Sequence, residues 1–284
     1  MKTVEYFKKK AVLSFEVFPP KPTGTPIREV LDGLKGLSPD YINVTYGAGG
    51  SRNSDATFQI ASMIRDEYGI ESVPHLACIE LTRPAAEEAL EKLKQSSAEN
   101  VMALRGDRPK EPYTPGDFAH AGDLVAFLRE RSSLNIVAAC YPEGHLESPD
   151  WIQDILNLKT KVDAGVNQLI TQFFLDNHYF YAFMEHCRLA GIHVPVSVGV
   201  MPVISKRQIE RMAPLCGAHI PEKFAAMVAH YESNPAALQE AGIAYAIDQI
   251  ADLLSHGVKG IHLYTMNNPA VTQRICEAIR PLMA

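Results

Sequence analysis

The chain has 284 residues, the size of one large domain, of two small ones or of an eight-stranded α/β barrel. Hydrophobic residues make up 46% of the sequence and charged residues 21%, values that argue against a disordered chain and against a membrane protein. The net charge of -6 comes from charges of both signs spread along the chain, so we expect no nucleic-acid-binding face.

Short runs of Val, Ile and aromatic residues recur along the chain with helical segments between them. This pattern is typical of βα units and a parallel sheet. The runs start 26 to 35 residues apart until a last interval of 66, which indicates extra helix before the final strand. We predict eight strands, at 12–18, 41–47, 72–79, 100–106, 135–141, 168–174, 194–201 and 260–266.

A polar residue followed by proline marks several predicted helix starts. Thr25-Pro26 is expected to supply the N-cap and first residue of a helix that ends at a left-handed Gly36. The pairs Ser148-Pro149 and Asn234-Pro235 repeat the start signal, and the helix that begins at the second pair is expected to be the longest.

Eight βα units can lie in an open doubly wound sheet or close into a barrel. The near-even spacing without a long linker favours the barrel. We therefore predict an α/β fold with a single (β/α)8 TIM barrel over residues 1–284, with extra helix before strand 8 and no regulatory domain. Such barrels place their active sites at the carboxyl ends of the strands.

The five cysteines form no C-x-x-C pair or zinc-finger spacing, and the N-terminal apolar stretch is interrupted by Glu16 without a small-residue cleavage site. We expect reduced, mostly buried thiols in a cytoplasmic enzyme. His75 and His145 belong to no paired metal-ligand spacing, so no catalytic metal is predicted.

Polar residues gather at the predicted carboxyl ends of the strands. Glu16 lies between Phe15 and Val17, and an apolar surround favours the protonated form of a carboxyl group, which suits a general acid. The alternative is a barrel-interior carboxylate paired with Arg or Lys. The other strand-end residues are Thr45, Tyr46, His75, Arg105, Asp107, Tyr141, Glu143, His145, Gln172 and Tyr264.

Two segments at strand ends suggest phosphate binding. The glycine-rich segment 46–54 precedes a helix, so its N–H groups could cradle a phosphate, although an ordinary tight turn explains it equally well. The segment 104–109 sets Arg105 and Asp107 around a glycine, where one could meet phosphate and the other a polar heterocycle. The alternative for this segment is a salt-bridged loop.

Seven motifs resemble methylenetetrahydrofolate reductase of the bacterial type. They occur in chain order at the predicted strand ends and run from about residue 12 to 280. The motifs are SFEVFPPK (14–21), VTYGAGGS (44–51), PHLAC (74–78), ALRGDRP (103–109), AACYPEGH (138–145), LNLKTKVDAGVNQLITQFFLD (156–176) and HLYTMN (262–267).

The resemblance implies a flavoprotein that uses FAD and, as reductant, NADH or NADPH. Its product, 5-methyltetrahydrofolate, would feed one-carbon metabolism and methionine synthesis, and the protein would be a homo-oligomer. Thr45 would lie near the nicotinamide. The residues implied to hold FAD are Tyr46, Ala48, His75, Arg105, Gly106, Asp107, Ala121, Tyr141, His145, Asp154, Asn157 and Lys161.

The implied chemistry is a ping-pong hydride transfer through flavin N5. Glu16 would protonate the amine of 5,10-methylenetetrahydrofolate so that its five-membered ring opens to an iminium cation. Asp107 would stabilise that cation, and Gln172 would orient the pterin. Gln208 and Tyr264 are further candidates for substrate contacts.

Two positions depart from the family pattern. Asn268 stands where several relatives have a basic residue, and Thr160 replaces an arginine found in some members. Contacts to the folate glutamate tail and to a flavin phosphate are therefore open. The competing functions are a flavin-free reductase, a metal-dependent barrel lyase and a non-catalytic folate-binding or electron-transfer subunit.

Overall fold

A computed structural model describes residues 1–21, 23–46, 54–108 and 113–283. In it, eight parallel strands close into a barrel in which each strand pairs with the next and the last pairs with the first. The predicted fold class is therefore confirmed. The strands are β1 (Val12–Val17), β2 (Tyr41–Val44), β3 (Glu71–Ala77), β4 (Asn100–Leu104), β5 (Asn135–Cys140), β6 (Gln168–Thr171), β7 (Val196–Val200) and β8 (Gly260–Tyr264).

Side chains along each strand point alternately into the barrel and out toward the helices, which produces an inner and an outer core. On β1, Phe15 and Val17 point outward into the large apolar layer between barrel and helices. Ser14 and Glu16 lie on the opposite face and so point into the barrel. The apolar interior is a smaller cluster, and its fully or nearly fully buried members are Val12, Tyr41, Val73, Met102, Val137 and Ile170.

Helices surround the barrel over the described residues. They are α1 (Ile27–Lys35), α2 (Ser54–Tyr68), α3 (Arg83–Gln95), α4 (Ala121–Arg131), α5 (Trp151–Asp163), α6 (Asn177–Leu189), α7 (Lys206–Cys216), α8 (Glu222–Tyr231), α9 (Pro235–Ser255) and α10 (Pro269–Ile279). Three of them, α7 to α9, fill the long interval before β8, as the spacing predicts. None of the described helices is long and apolar enough to cross a membrane.

The expected helix boundaries are partly wrong. Pro26, not Thr25, is the N-cap of α1, and Gly36 has right-handed backbone angles (φ -69°). Because helix α5 is capped by Asp150, it begins two residues later than Ser148-Pro149 indicates. The start at Asn234 is confirmed, since its side chain accepts a hydrogen bond from the N–H of Ala237.

A short 3-10 helix, Thr3–Lys8, closes the amino-terminal end of the barrel. The buried Thr3 accepts a hydrogen bond from Asn135 (2.8 Å) and donates one to Gln168 (2.8 Å). Phe7 packs against the inner cluster. Because this end is filled, ligands are expected to enter from the other end, where the strand-to-helix loops lie.

A third apolar cluster lies beneath α7 and α8, beside the carboxyl ends of β6 and β7. It contains Phe173, Met201, Ile209 and Phe224, and Tyr264 at the end of β8 packs against it. The inserted helices therefore cover one side of the mouth of the barrel. Cys216, at the end of α7, is partly exposed, and the other four cysteines are buried.

Candidate active site

The register of the barrel places Glu16 among polar residues from both neighbouring strands. It lies opposite Asn43 of β2 and opposite Tyr264 of β8. All three residues lie near the carboxyl ends of their strands, just before the loops. The Glu16 side chain is 20% exposed, which gives its carboxylate access to the mouth of the barrel.

Two buried histidines flank the Glu16 carboxylate. Its Oε2 lies 3.7 Å from Nε2 of His75 and 3.7 Å from Nε2 of His262. The surround is therefore imidazole on two sides, not the purely apolar environment that the flanking Phe15 and Val17 suggest. Among the described residues, the ionisable partners of the Glu16 carboxylate are these two histidines and include no Arg or Lys.

His75 is neutral near neutral pH. Burial lowers its pKa to about 4, an effect that the negative charge of Glu16 only partly offsets. Its Nε2 lies 3.1 Å from the side-chain nitrogen of Asn43, which donates to it. The His75 side chain therefore places a neutral imidazole, not a cation, beside Glu16.

His262 connects Glu16 to Ser14. The Ser14 hydroxyl lies 2.8 Å from Nδ1 of His262, and this contact fixes the orientation of the imidazole and leaves Nε2 for other contacts. That nitrogen faces Glu16 and has no hydrogen-bond partner within the part of the chain that the structure describes. The sequence did not single out His262, Asn43 or Ser14, although each alternates with outward-facing apolar residues.

Thr45 directly follows β2, at the carboxyl end of the strand. Its side chain is buried, and its hydroxyl oxygen has no hydrogen-bond partner among the described residues. Its carbonyl oxygen accepts from Thr57 of α2 (2.9 Å). Tyr46 is the last described residue before a gap; Ala48 and the rest of the glycine-rich segment through 53 lie outside the described residues.

Tyr264 and Gln172 are placed side by side by strands β8 and β6. The Tyr264 hydroxyl donates to the carbonyl oxygen of Thr171 (2.8 Å), and burial raises the pKa of this phenol well above its ordinary value. Gly199 makes room for the ring, because a Cβ there would lie 2.6 Å from it. The Gln172 side-chain carbonyl accepts from the N–H of Phe173 (2.9 Å).

Gln208 has both of its amide atoms engaged within its own loop. Its oxygen accepts from the N–H of Ile204 (3.0 Å), and its nitrogen donates to the carbonyl of Pro202 (3.0 Å). As placed, this side chain orders the connection between β7 and α7. Its contact with substrate stays a prediction.

A second group of predicted site residues lies around the ends of β4 and β5. Arg105 does form an ion pair, but its partner is Glu147 and not Asp107, which is exposed. Two guanidinium nitrogens contact the Glu147 carboxylate, at 2.6 and 2.9 Å. Gly106 has a left-handed φ of 88°, which lets the chain turn sharply between Arg105 and Asp107.

Lys161 of α5 reaches inward to the end of β5. Its Nζ donates to the carbonyl oxygen of Ala139 (2.6 Å), and desolvation by burial lowers its pKa. Asp154, earlier on the same helix, is buried and accepts from the Ser148 hydroxyl (2.7 Å). Asn157 is exposed, and its side-chain oxygen accepts from Gln153 (2.9 Å).

Three further assigned residues complete this group. The Tyr141 ring meets the His145 ring edge to face, with 4.7 Å between ring centres, and burial raises the pKa of Tyr141 to about 12. Ala121 is the first residue of α4. A Cβ added to the next residue, Gly122, would lie 3.8 Å from Cα of Lys161, so the start of α4 adjoins α5.

Other features lie apart from this mouth. A surface groove between α2 and α3, lined by Phe58, Met63, Asp66 and Lys92 among others, contains none of the predicted site residues. Within the described ranges, no cluster of three or more His, Cys, Asp or Glu side chains is arranged to hold a metal ion.

Comparison with known proteins shows the family. The family model described as methylenetetrahydrofolate reductase matches residues 2–280. The chain belongs to the methylenetetrahydrofolate reductase family. It is 34% identical over 276 residues to the 5,10-methylenetetrahydrofolate reductase of Pectobacterium carotovorum subsp. carotovorum, covering 96% of this chain and 92% of that protein. It is 35% identical to that of Escherichia coli (strain K12), with 94% and 90% covered.

Members of this oxidoreductase family differ in length. Methylenetetrahydrofolate reductase (NADH) 1 of Arabidopsis thaliana is 35% identical over 94% of this chain but is matched over only 49% of its own length. A solved structure described as an uncharacterized protein from Clostridium thermocellum that binds two copies of 5-methyl-5,6,7,8-tetrahydrofolic acid has the same fold. Its TM-score is 0.61 at 13% identity, with 98% and 97% of the two chains covered.

Proposed function

We propose that this chain reduces 5,10-methylenetetrahydrofolate to 5-methyltetrahydrofolate, with FAD as its bound cofactor and NADH or NADPH as its reductant. The observation that carries the proposal is Glu16, held at the mouth of a closed barrel between His75 and His262 in a member of this family. An inward-facing carboxylate with access to the mouth is what a proton donor to the folate amine requires.

The residues assigned to FAD fit a dinucleotide by their chemistry. Arg105 and Lys161 supply two cations, and the start of α4, the positive end of the helix dipole, adjoins Lys161. The Asp154 carboxylate, one oxygen of which is engaged by Ser148, suits a ribose hydroxyl. The buried Thr45 hydroxyl, which has no hydrogen-bond partner among the described residues, suits a polar edge of the flavin or nicotinamide ring. The flavin, when bound, supplies the hydride.

Glu16 provides the proton in this scheme. The contact with the Ser14 hydroxyl fixes the orientation of His262, and Nε2 of His262 faces Glu16. Neutral His75 adds no positive charge on the other side. Glu16 is therefore placed to deliver a proton to the folate amine on its open side, with His262 as its partner on the inner side.

Three other side chains would position the substrate. Asp107 is exposed at the end of β4, where its negative charge can stabilise the cationic iminium form of the folate. Gln172 and Tyr264 lie on the opposite wall, where Gln172 can pair with the pterin edge after giving up its contact with Phe173. Gln208, which orders the connection between β7 and α7, is a further candidate for a substrate contact.

An absorbance spectrum of the purified protein tests the cofactor assignment first. The oxidised-flavin band should be present and should bleach when NADH or NADPH is added without oxygen. A colourless protein that binds folate and is inert to both nicotinamides would instead support a flavin-free binding role and contradict the proposal.

A further inference from the structure

The Arg105 guanidinium is occupied by a carboxylate of the protein itself. Glu147 contacts two nitrogens of Arg105 at 2.6 and 2.9 Å, and one of its oxygens also lies 3.1 Å from Arg108. Glu147 stands 42 residues away in sequence, in the loop between β5 and α5. The role inferred here for Glu147 rests on the proposed function, in which Arg105 binds the pyrophosphate of FAD.

A bidentate arginine–carboxylate contact uses the same two N–H groups that a phosphate would use. Glu147 therefore fills, with one negative charge, the position at which Arg105 would meet the cofactor's anion. The paired arginine lowers the pKa of Glu147 to about 2, so the carboxylate stays charged near neutral pH.

The contact can be exchanged without a change of fold. The Glu147 side chain is 41% exposed, so water can replace the arginines as its partner. The backbone at Glu147 is held locally, where its N–H donates to Nδ1 of His145 (3.1 Å). A rotation of the side chain toward solvent frees Arg105 without moving a strand or a helix.

We propose that Glu147 is a competing anion: it occupies Arg105 and Arg108 when no cofactor is bound and leaves when the pyrophosphate of FAD arrives. Glu147 thereby weakens the binding of FAD and makes the FAD affinity less dependent on salt concentration. Together, Arg105, Arg108 and Glu147 carry a net charge of +1. When Glu147 has moved away, the two arginines present a charge of +2 to the cofactor.

Glu147→Gln tests this, because it removes the charge and keeps the size. FAD is titrated into flavin-free protein and followed by the change in flavin fluorescence, so no turnover is needed. We expect Glu147→Gln to bind FAD about tenfold more tightly than the wild type, with a steeper loss of affinity as salt rises. Inorganic pyrophosphate should compete with FAD more effectively in the variant.

The matched control is Glu130→Gln, which removes an exposed carboxylate paired with Arg131 at the outer end of α4. It should bind FAD as the wild type does. Glu147→Asp, which keeps the charge but withdraws it by one methylene group, should lie between the wild type and Glu147→Gln. It also serves as the test if Glu147→Gln does not fold.

Binding by the wild type and by the variants separates the two claims. If the wild type binds no FAD, the proposed cofactor is wrong, and the proposal that Glu147 competes with FAD is refuted as well. If the wild type binds FAD and both Glu147 variants bind it equally well or more weakly, Glu147 orients Arg105 for the cofactor and the competing role is refuted.

Discussion

Replacing Glu16 with Gln should separate the two halves of the reaction. The change keeps the shape of the side chain and removes the proton that opens the folate ring. Hydride transfer from the nicotinamide to the flavin does not use that proton, so flavin reduction should stay within about tenfold of the wild type. Flavin reoxidation by methylenetetrahydrofolate should slow at least about a hundredfold, the usual minimum for a lost general acid.

The structure indicates that this effect is chemical and not a loss of fold. Glu16 makes two contacts of 3.7 Å to histidine nitrogens, and His75 is neutral, so the substitution breaks no strong ion pair. We expect a loss of no more than about 1 kcal/mol in the free energy of unfolding. The two steps are measured separately by stopped-flow absorbance of the flavin without oxygen.

Glu71→Gln is the matched control. Glu71 is also a strand glutamate of low exposure, but it lies at the amino-terminal end of β3, next to the N-terminal amine. Neither half-reaction should change there. Equal slowing of both steps in Glu16→Gln would refute the acid role, and an unimpaired folate step would move the acid to another residue, with Asp107 the next candidate.

Three further predictions test the cofactor site, the buried histidine and the packing of the mouth. Lys161→Ala and Asp154→Ala should each weaken FAD binding by about ten- to a hundredfold in a titration, since each removes a charge-assisted contact; wild-type affinity in both would contradict the assignment. Because the pKa of His75 is about 4 in the fold and 6.5 in the unfolded chain, the unfolded state binds more protons between these values, and stability falls as the pH falls from 6.5 to 4. In denaturant titrations, His75→Gln should remove up to about 3 kcal/mol of this acid-induced fall in the free energy of unfolding. The control His178→Gln, which changes an exposed histidine, should leave the fall unchanged. Equal acid sensitivity of the wild type and His75→Gln would contradict the low pKa. Gly199→Ala should lower the free energy of unfolding by about 1–3 kcal/mol, because the added Cβ would lie 2.3 Å from the Thr171 carbonyl oxygen. A Cβ added at Gly36 would meet no atom within 4 Å, so the control Gly36→Ala should be nearly neutral. Equal effects of the two substitutions would contradict the packing around Gly199.

Where strands begin could be read from the sequence more accurately than where they end. The predicted strand at 168–174 begins correctly at Gln168, but β6 stops at Thr171. Phe173 and Phe174 extend the apolar pattern because they are buried in loop packing, not because they pair with a neighbouring strand. A hydrophobic pattern indicates burial and not strand pairing. In this barrel the loop residues that follow a strand are also buried, so they extend the apolar pattern and make the strand look longer than it is.

The candidate site was predictable as a list of strand-end residues but not as a set of contacts. Glu16 stands out because it interrupts an apolar strand, whereas its partner His262 is identified only by the pairing of β1 with β8. The same holds for Arg105, whose local neighbour Asp107 suggests a salt bridge that the fold instead makes with Glu147. Such pairings depend on barrel closure and loop geometry, which no local pattern encodes.

In the proposed reaction, one FAD accepts a hydride from a nicotinamide and passes it to methylenetetrahydrofolate. The most direct measurement mixes the purified protein with one equivalent of NADH or NADPH without oxygen and then adds methylenetetrahydrofolate, while the flavin absorbance is followed. We predict bleaching in the first step, return of the absorbance in the second, and 5-methyltetrahydrofolate as the product. A flavin that bleaches but is not reoxidised by the folate would contradict this reaction.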